Sequence, residues 1–154
     1  MVELDKVKKV YDGNKVLDNL SFSFNKKGLY VIKGNNGVGK TTLLNIISSR
    51  IKDYKGKVSV SDSLFYLSLE SYLIEEFSVK DNININKDLF SDFKPYKNDF
   101  GIEKLMNKKV NKLSKGERQR VGLYIALSSG CKIVLLDEVL SGVDSNYREI
   151  MINE

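Results

Sequence analysis

The residues with the clearest chemical pattern are Gly34-Asn35-Asn36-Gly37-Val38-Gly39-Lys40-Thr41, which fit the spacing G-x-x-x-x-G-K-[ST]. Glycines let the backbone turn tightly and point successive N–H groups at the oxygens of a phosphate. The lysine then reaches the β- and γ-phosphates of a nucleotide, and the threonine hydroxyl is a ligand for Mg²⁺. Thr42 follows at the same helix N-terminus and is a further candidate for nucleotide contact. The pattern predicts a P-loop.

A P-loop needs a strand before it and a helix after it, and the flanking sequence predicts both. Leu29-Tyr30-Val31-Ile32 is a short apolar run, which favours a buried strand. Residues 41–51 carry leucines and isoleucines at helical spacing, which favours an amphipathic helix.

A second chemical feature is an apolar strand, Ile133-Val134-Leu135-Leu136, that ends in two acids, Asp137 and Glu138. In an NTPase, Asp137 would orient Mg²⁺ through water, and Glu138 would polarise the attacking water as general base. An apolar strand followed by an acid is common, so this interpretation depends on the P-loop. GTPases are disfavoured because the sequence has no N-K-x-D element for reading guanine.

The remaining elements alternate between strands and helices. The pattern predicts two or three short strands in residues 4–24 with a turn at 12–14, strands at 57–60 and 64–67, and a helix at 117–128. Residues 71–110 are polar and mixed, and they favour loops with two or three helices. This alternation predicts an α/β fold with a mainly parallel sheet.

Composition excludes several classes of protein. The 154 residues suffice for one domain, and no run of 18 or more is apolar, so no membrane span is expected. The absence of histidine and the single Cys131 exclude a zinc site, a histidine triad and an internal disulfide. The N-terminus lacks a signal-peptide layout, so a cytosolic chain is expected. The net charge is +5, and the basic run in residues 103–120 is not interleaved with aromatics; it favours a solvated face over a nucleic-acid partner.

The segment Leu113-Ser114-Lys115-Gly116-Glu117-Arg118-Gln119-Arg120 resembles the signature of the ATP-binding cassette (ABC) ATPases, L-S-G-G-Q before a basic pair around glutamine. Three further segments resemble family motifs in the family's order. They are the N-terminal aromatic loop at Val10-Tyr11, the start of the helical subdomain at 78–83, and the loop after the catalytic glutamate at Ser141-Gly142-Val143-Asp144. The resemblance therefore extends over residues 10–144.

This resemblance implies a fold and a base-binding residue. The fold would be α/β: a P-loop NTPase core with a mainly parallel sheet, an N-terminal antiparallel β part and a small helical subdomain. Residues 1–154 would form a single ABC ATPase domain, with the helical subdomain inserted at about 70–116 and the C-terminal part of the family's domain missing. Tyr11 would stack on adenine.

The resemblance also implies a partner cassette, because family members enclose two Mg-ATP molecules head to tail. The Ser114 hydroxyl and the Gly116 N–H of one cassette would cover the γ-phosphate held by the P-loop of the other. Ser114 could instead, or also, cap the helix that begins near Glu117 in a capping box.

The function implied is the ATP-hydrolysing subunit of a transporter, peripheral to the inner face of the cell membrane, driving a separate transmembrane permease. Tyr72, Leu73, Ile74 and Phe77 lie where the family docks a helix of that permease, although local packing is the alternative. Two other functions stay open: a soluble ABC ATPase without transport, and an ATP-gated binding module that hydrolyses poorly.

The sequence departs from the family pattern in three places, and the missing glutamine and the missing histidine are the two that bear on hydrolysis. Leu69 stands where the family has a glutamine near Mg²⁺, and Gln119 is the only glutamine in the sequence. Lys115 and Glu117 replace a glycine and a glutamine of the signature. The sequence ends 16 residues after Glu138 and has no switch histidine, which is expected of a fragment, a truncated gene product or a degenerate relative. We expect slow hydrolysis.

Overall fold

The computed structural model describes residues 1–68, 72–97 and 100–139, and the chain divides into two compact units, Met1–Ser63 and Leu64–Glu154. The described elements are five strands, three α-helices and two short 3-10 turns. In chain order they are β1 Val2–Tyr11, β2 Asn14–Phe24, α1 Lys40–Ile47, β3 Lys55–Val60, β4 Leu64–Ser68, α2 Val79–Leu89, 3-10 turns Glu103–Leu105 and Val110–Lys112, α3 Lys115–Ser128 and β5 Ile133–Asp137.

The first unit is built on an antiparallel sheet in the order β2-β1-β3. A two-residue turn, Asp12-Gly13, joins β1 to β2, and Tyr11 pairs with Asn14 across it. Both turn residues have positive φ, 47° and 82°, as a type I′ hairpin requires. The predicted turn and the antiparallel N-terminal part are thus confirmed.

The core of the first unit lies between this sheet and α1. Val2, Leu4 and Val7 of β1 are buried, and a register shift between Leu4 and Val7 keeps both on the covered side. Helix α1 contacts β3 and buries four apolar residues at helical spacing. These are Leu43, Leu44, Ile46 and Ile47.

The predicted buried strand at residues 29–32 is wrong. These residues form no ladder with the described strands, and Leu29 and Val31 are 77% and 66% exposed. The chain instead folds back on the end of β2: the Tyr30 ring lies edge-on to Phe24 at 4.9 Å, and its hydroxyl donates to the Lys26 carbonyl. A strand requires a hydrogen-bonding neighbour, and an apolar run by itself does not supply one.

The second unit contains a parallel pair of strands covered by helices. Strands β4 and β5 pair in register, so that Ser68 lies opposite Asp137. Helix α3 packs closely on β4, because a Cβ on Gly122 would lie 2.9 Å from Cδ1 of Leu67. The core includes Phe65, Val79, Phe100, Ile102, Val121 and Ile125. None of the helices in the described ranges has the length and apolarity needed to cross a membrane.

Candidate functional site

The phosphate loop of the first unit ends on glycines in left-handed conformation. Gly37 has φ 80° and Gly39 has φ 105°, values that L side chains rarely adopt. Gly39 is the N-cap of α1 and brings no side-chain acceptor to the first helical turn. The backbone N–H groups at this terminus, together with the helix dipole, therefore suit an anion.

Close packing gives Gly39 a second reason to be glycine. A Cβ at this position would lie 2.7 Å from Cγ1 and 3.1 Å from the carbonyl oxygen of Val16, and 3.4 Å from Cδ2 of Leu17. Both neighbours belong to β2. The loop is therefore seated directly on the hairpin that carries Tyr11.

Lys40 turns its side chain back onto the loop. Its Nζ donates to the carbonyl oxygens of Gly34 and Asn35, at 2.9 Å each. Lys40 and Thr42 are half-buried and Thr41 is exposed, while Asn35, Asn36 and Val38 face solvent along the loop. The lysine charge and the threonine hydroxyl thus flank the same helix N-terminus.

Tyr11 lies at the end of β1, with 41% of its surface exposed. One face of its ring is covered: the ammonium of Lys9 lies 4.7 Å from the ring centroid, within cation–π range. Lys9 is itself buried and bonds to Asp53. The sequence pattern did not indicate this contact of Lys9 with Tyr11, although residues two apart on a strand share a face.

In the second unit, Asp137 ends β5 and is buried. The hydroxyl of Tyr66, on the neighbouring strand β4, donates to Oδ2 of Asp137 at 3.1 Å. The sequence did not indicate this contact, because it depends on the strand register. It fixes the orientation of a carboxylate expected to serve a metal.

Glu138 follows directly with an exposed side chain and a left-handed backbone, φ 56°. A non-glycine residue in this region carries a conformational cost, and such residues cluster at functional sites. The left-handed conformation of Glu138 turns the chain at the end of β5. Asp137 is buried there, while the side chain of Glu138 faces solvent.

Ser114 caps α3 in a capping box. Its Oγ accepts a hydrogen bond from Glu117 N at 3.2 Å, and the Glu117 carboxylate accepts from Ser114 N at 2.8 Å. This bond, aided by Lys108 at 3.3 Å, lowers the pKa of Glu117. The predicted cap is confirmed. Ser114 is exposed.

A pocket of about 360 Å³ in the second unit is lined by residues of β4 and α3, by Val139, and by Tyr72, Leu73, Glu75, Val110 and Leu113. Gln119 lines it, but the Nε2 and Oε1 atoms are buried, and neither finds a hydrogen-bond partner among the described residues. Gly116 lies in the first turn of α3, half-buried. Leu69 and the loop 141–144 fall outside the described residues.

Residues 17–141, most of the chain, match the sequence profile described as ABC transporter. The chain belongs to the ABC transporter family. The prediction of an ATP-binding cassette ATPase is therefore confirmed at the level of the family.

Curated relatives of this ABC protein are ATP-binding subunits of several transport systems. It is 37% identical to the tungstate uptake ATP-binding protein TupC of Peptoclostridium acidaminophilum, over 96% of the chain and 76% of that protein. It is 29% identical to an uncharacterized ABC transporter ATP-binding protein of Methanocaldococcus jannaschii, over 93% of the chain but 58% of the relative. It matches the spermidine/putrescine import protein PotA of Mycoplasma capricolum at 31% identity, spanning 49% of its length.

Solved structures agree on the fold. An ABC transporter ATP-binding protein of Pyrococcus furiosus has a TM-score of 0.78 at 26% identity, covering 99% of this chain and 82% of the other. A dimeric ATP-binding cassette in a post-hydrolysis state with ADP and Pi has a TM-score of 0.84 at 23% identity, covering 99% and 80%. The predicted α/β P-loop fold, with antiparallel and parallel sheets and a helical part, is confirmed.

Proposed function

We propose that this cassette binds Mg-ATP, associates head to tail with a second cassette and drives a separate membrane permease by hydrolysis. The observation that carries the proposal is the glycine loop at the uncapped N-terminus of α1, with Lys40 folded against it. Backbone N–H groups, a helix dipole and a flexible ammonium there suit a polyphosphate.

The roles of individual residues follow from their chemistry. Lys40 would pair with the β- and γ-phosphates, and the exposed face of Tyr11 would stack on the base. Glu138 would accept a proton from the water whose oxygen attacks the γ-phosphorus, and ADP would leave with the bridging oxygen. Ser114 and Gly116 of the partner cassette would donate hydrogen bonds to the γ-phosphate.

The donors expected for magnesium are the Thr41 hydroxyl and the Asp137 carboxylate. Both are the hard oxygen ligands that Mg²⁺ prefers, and the ion typically takes its remaining ligands from phosphates and water. The described residues contain no cluster of three or more acidic, cysteine or histidine side chains able to hold a metal alone. Bound there, the ion would neutralise charge developing on the phosphates.

A docking surface for the permease is proposed at Ile74 and Phe77, which are 42% and 44% exposed. The backbone of Ile74 is held on both sides by Asn82, whose Oδ1 accepts from Ile74 N and whose Nδ2 donates to Ile74 O. Tyr72 and Leu73 pack partly against the core instead. Two exposed apolar side chains on a fixed backbone suit a helix from a membrane subunit.

ATP-dependent association tests the proposal. Glu138→Gln should bind Mg-ATP without turning it over, and light scattering should then show a dimer that disappears when the nucleotide is removed. Adding Lys40→Ala to the same variant is the matched control and should restore the monomer. A Glu138→Gln chain that stays monomeric while saturated with Mg-ATP would contradict the head-to-tail assembly.

A further inference from the structure

Lys9 is an unusual lysine, because only 6% of it is exposed in the middle of β1. A buried ammonium is costly unless it is paired and hydrogen-bonded. The adjacent Lys8 contrasts with it: the side chain of Lys8 is 39% exposed, and its ammonium approaches Asp18 only at 3.8 Å. Lys8 is an ordinary solvated lysine on a strand, whereas the burial of Lys9 needs a specific explanation.

Two oxygens of one residue hold the Lys9 ammonium. Nζ donates to the carbonyl oxygen of Asp53 at 2.6 Å and to its Oδ2 at 3.0 Å. Asp53 lies between α1 and β3, and its side chain is fully exposed. The loop that connects α1 to β3 thus holds the ammonium through Asp53. The centroid of the Tyr11 ring lies 4.7 Å from the same ammonium.

The same strand pairing connects Lys9 to the phosphate loop. Lys9 is the register partner of Leu17 on β2. Leu17, in turn, approaches within 3.4 Å of the position that a Cβ on Gly39 would take. The Lys9–Leu17 pair therefore connects the neighbourhood of the Tyr11 ring to the loop at Gly39.

We propose that Lys9 is a positioning residue for the nucleotide base: its ammonium, anchored by Asp53, occupies one face of the Tyr11 ring and sets that ring as a platform for a base on the opposite face. The inference rests on the proposed ATP binding. A cation on one face also draws electron density from the ring, which strengthens stacking with an electron-rich purine on the other.

Two titrations separate base positioning from phosphate binding. A non-hydrolysable ATP analogue reports on both the base and the phosphates, whereas inorganic tripolyphosphate, with the same Mg²⁺, reports on the phosphate loop alone. Lys9→Met should weaken the ATP analogue by about three- to tenfold and leave tripolyphosphate affinity unchanged. Lys9→Arg should retain both affinities, and Lys8→Met is the matched control without effect.

Two further variants complete the test. In a Tyr11→Ala background, Lys9→Met should cause no additional loss, because the lysine acts through the ring. Asp53→Asn changes an exposed side chain and should give a smaller loss of the same selective kind, so it decides the matter if Lys9→Met does not fold. Equal loss for both ligands, or unchanged ATP affinity in Asp53→Asn and Lys9→Met, would overturn the inference. A wild-type chain that binds neither ligand would instead overturn the proposed function.

Discussion

At the scale of single residues, the contact between Tyr66 and Asp137 is the one most directly tied to the proposed metal chemistry. Both side chains are buried, and the hydroxyl reaches Oδ2 at 3.1 Å. Hydrogen bonds to charged groups contribute about 1.5–3 kcal/mol. A carboxylate held in this way presents a defined orientation to an ion, whereas a free one would have to be ordered at each binding event.

Tyr66→Phe should therefore reduce the gain in ATP affinity that Mg²⁺ brings, by about tenfold, and leave the affinity measured in EDTA unchanged. Calorimetric titrations with and without the metal measure both values. Tyr72→Phe is the matched control, because it removes another tyrosine hydroxyl hydrogen bond in the same unit, to Asn86. An identical metal-dependent gain in all three proteins would show that Tyr66 does not orient Asp137 for the ion.

The site residues proposed from the sequence are those that belong to local patterns along the chain. The glycine loop with Lys40, the acids at 137 and 138, and the cap at Ser114 are all local patterns. Lys9 and Tyr66 were missed because their environment depends on contacts between elements. Tyr66 is 71 positions from Asp137, and only the parallel register brings them together.

At the scale of elements, the N-terminus of helix α3 combines a capping box with residues that are proposed to contact a nucleotide. Its capping box satisfies backbone groups at the N-terminus, and the Glu117 carboxylate adds a favourable charge at the positive end of the dipole. The Glu117 pKa is lowered chiefly by its hydrogen bond from Ser114 N. Folding therefore favours the ionised form.

This shift predicts the pH dependence of stability. Because the pKa is lower in the folded state, Glu117 stabilises the fold above its unfolded pKa of about 4.3, and this contribution is lost as the pH falls through the folded value. Glu117→Gln keeps a capping side chain but should lose about 0.3–1 kcal/mol at pH 7. Its stability should then fall less than that of the wild type below about pH 5.

Urea unfolding at neutral and acid pH measures the difference. Asp81→Asn is the matched variant, since Asp81 forms the equivalent capping box on α2 with Ser78 and its pKa is also lowered. Parallel stability curves for the wild type and Glu117→Gln across the acid range would show that this carboxylate contributes no linkage.

Most elements were predictable from periodicity, and the exceptions have physical reasons. Strands β3, β4 and β5 lie within two residues of the predictions at 57–60, 64–67 and 133–136. Where two or three short strands were expected in residues 4–24, the structure has two long ones, and helix α1 ends at Ile47, before the predicted end at residue 51. Helix α3 begins at Lys115, two residues before the prediction, because Ser114 is the cap. The run at 29–32 failed because apolarity does not by itself provide the strand partner that burial requires.

At the scale of the whole molecule, family and fold are established. The chain divides into two compact units, whereas the sequence predicted a single domain over residues 1–154. That domain boundary stays a prediction, as do the individual site residues. The family is shown by the profile match over residues 17–141.

We predict the rate at which the whole chain hydrolyses ATP. Residues 1–154 contain no histidine, and the resemblance places Leu69, whose side chain has no oxygen, at the family's glutamine. Loss of a single preorganised donor costs about 10²–10³ in rate, so this polypeptide should hydrolyse ATP slowly or undetectably. A steady-state phosphate-release assay, with Glu138→Gln as the blank, is the measurement. Turnover of about 10 s⁻¹ would show that other groups replace the family's glutamine and its switch histidine.

Binding of Mg-ATP is the claim on which the rest depends, and calorimetric titration of the wild type against Lys40→Ala tests it most directly. Among the described residues, the Lys40 ammonium donates hydrogen bonds to two loop carbonyls, so the variant should fold normally and lose about 10- to 100-fold in affinity. Lys52→Ala, an exposed lysine outside the loop, should bind like the wild type. A wild-type chain that binds Mg-ATP, with selective loss in Lys40→Ala, is the predicted result. Undiminished affinity in Lys40→Ala, or no binding by the folded wild type, would contradict it.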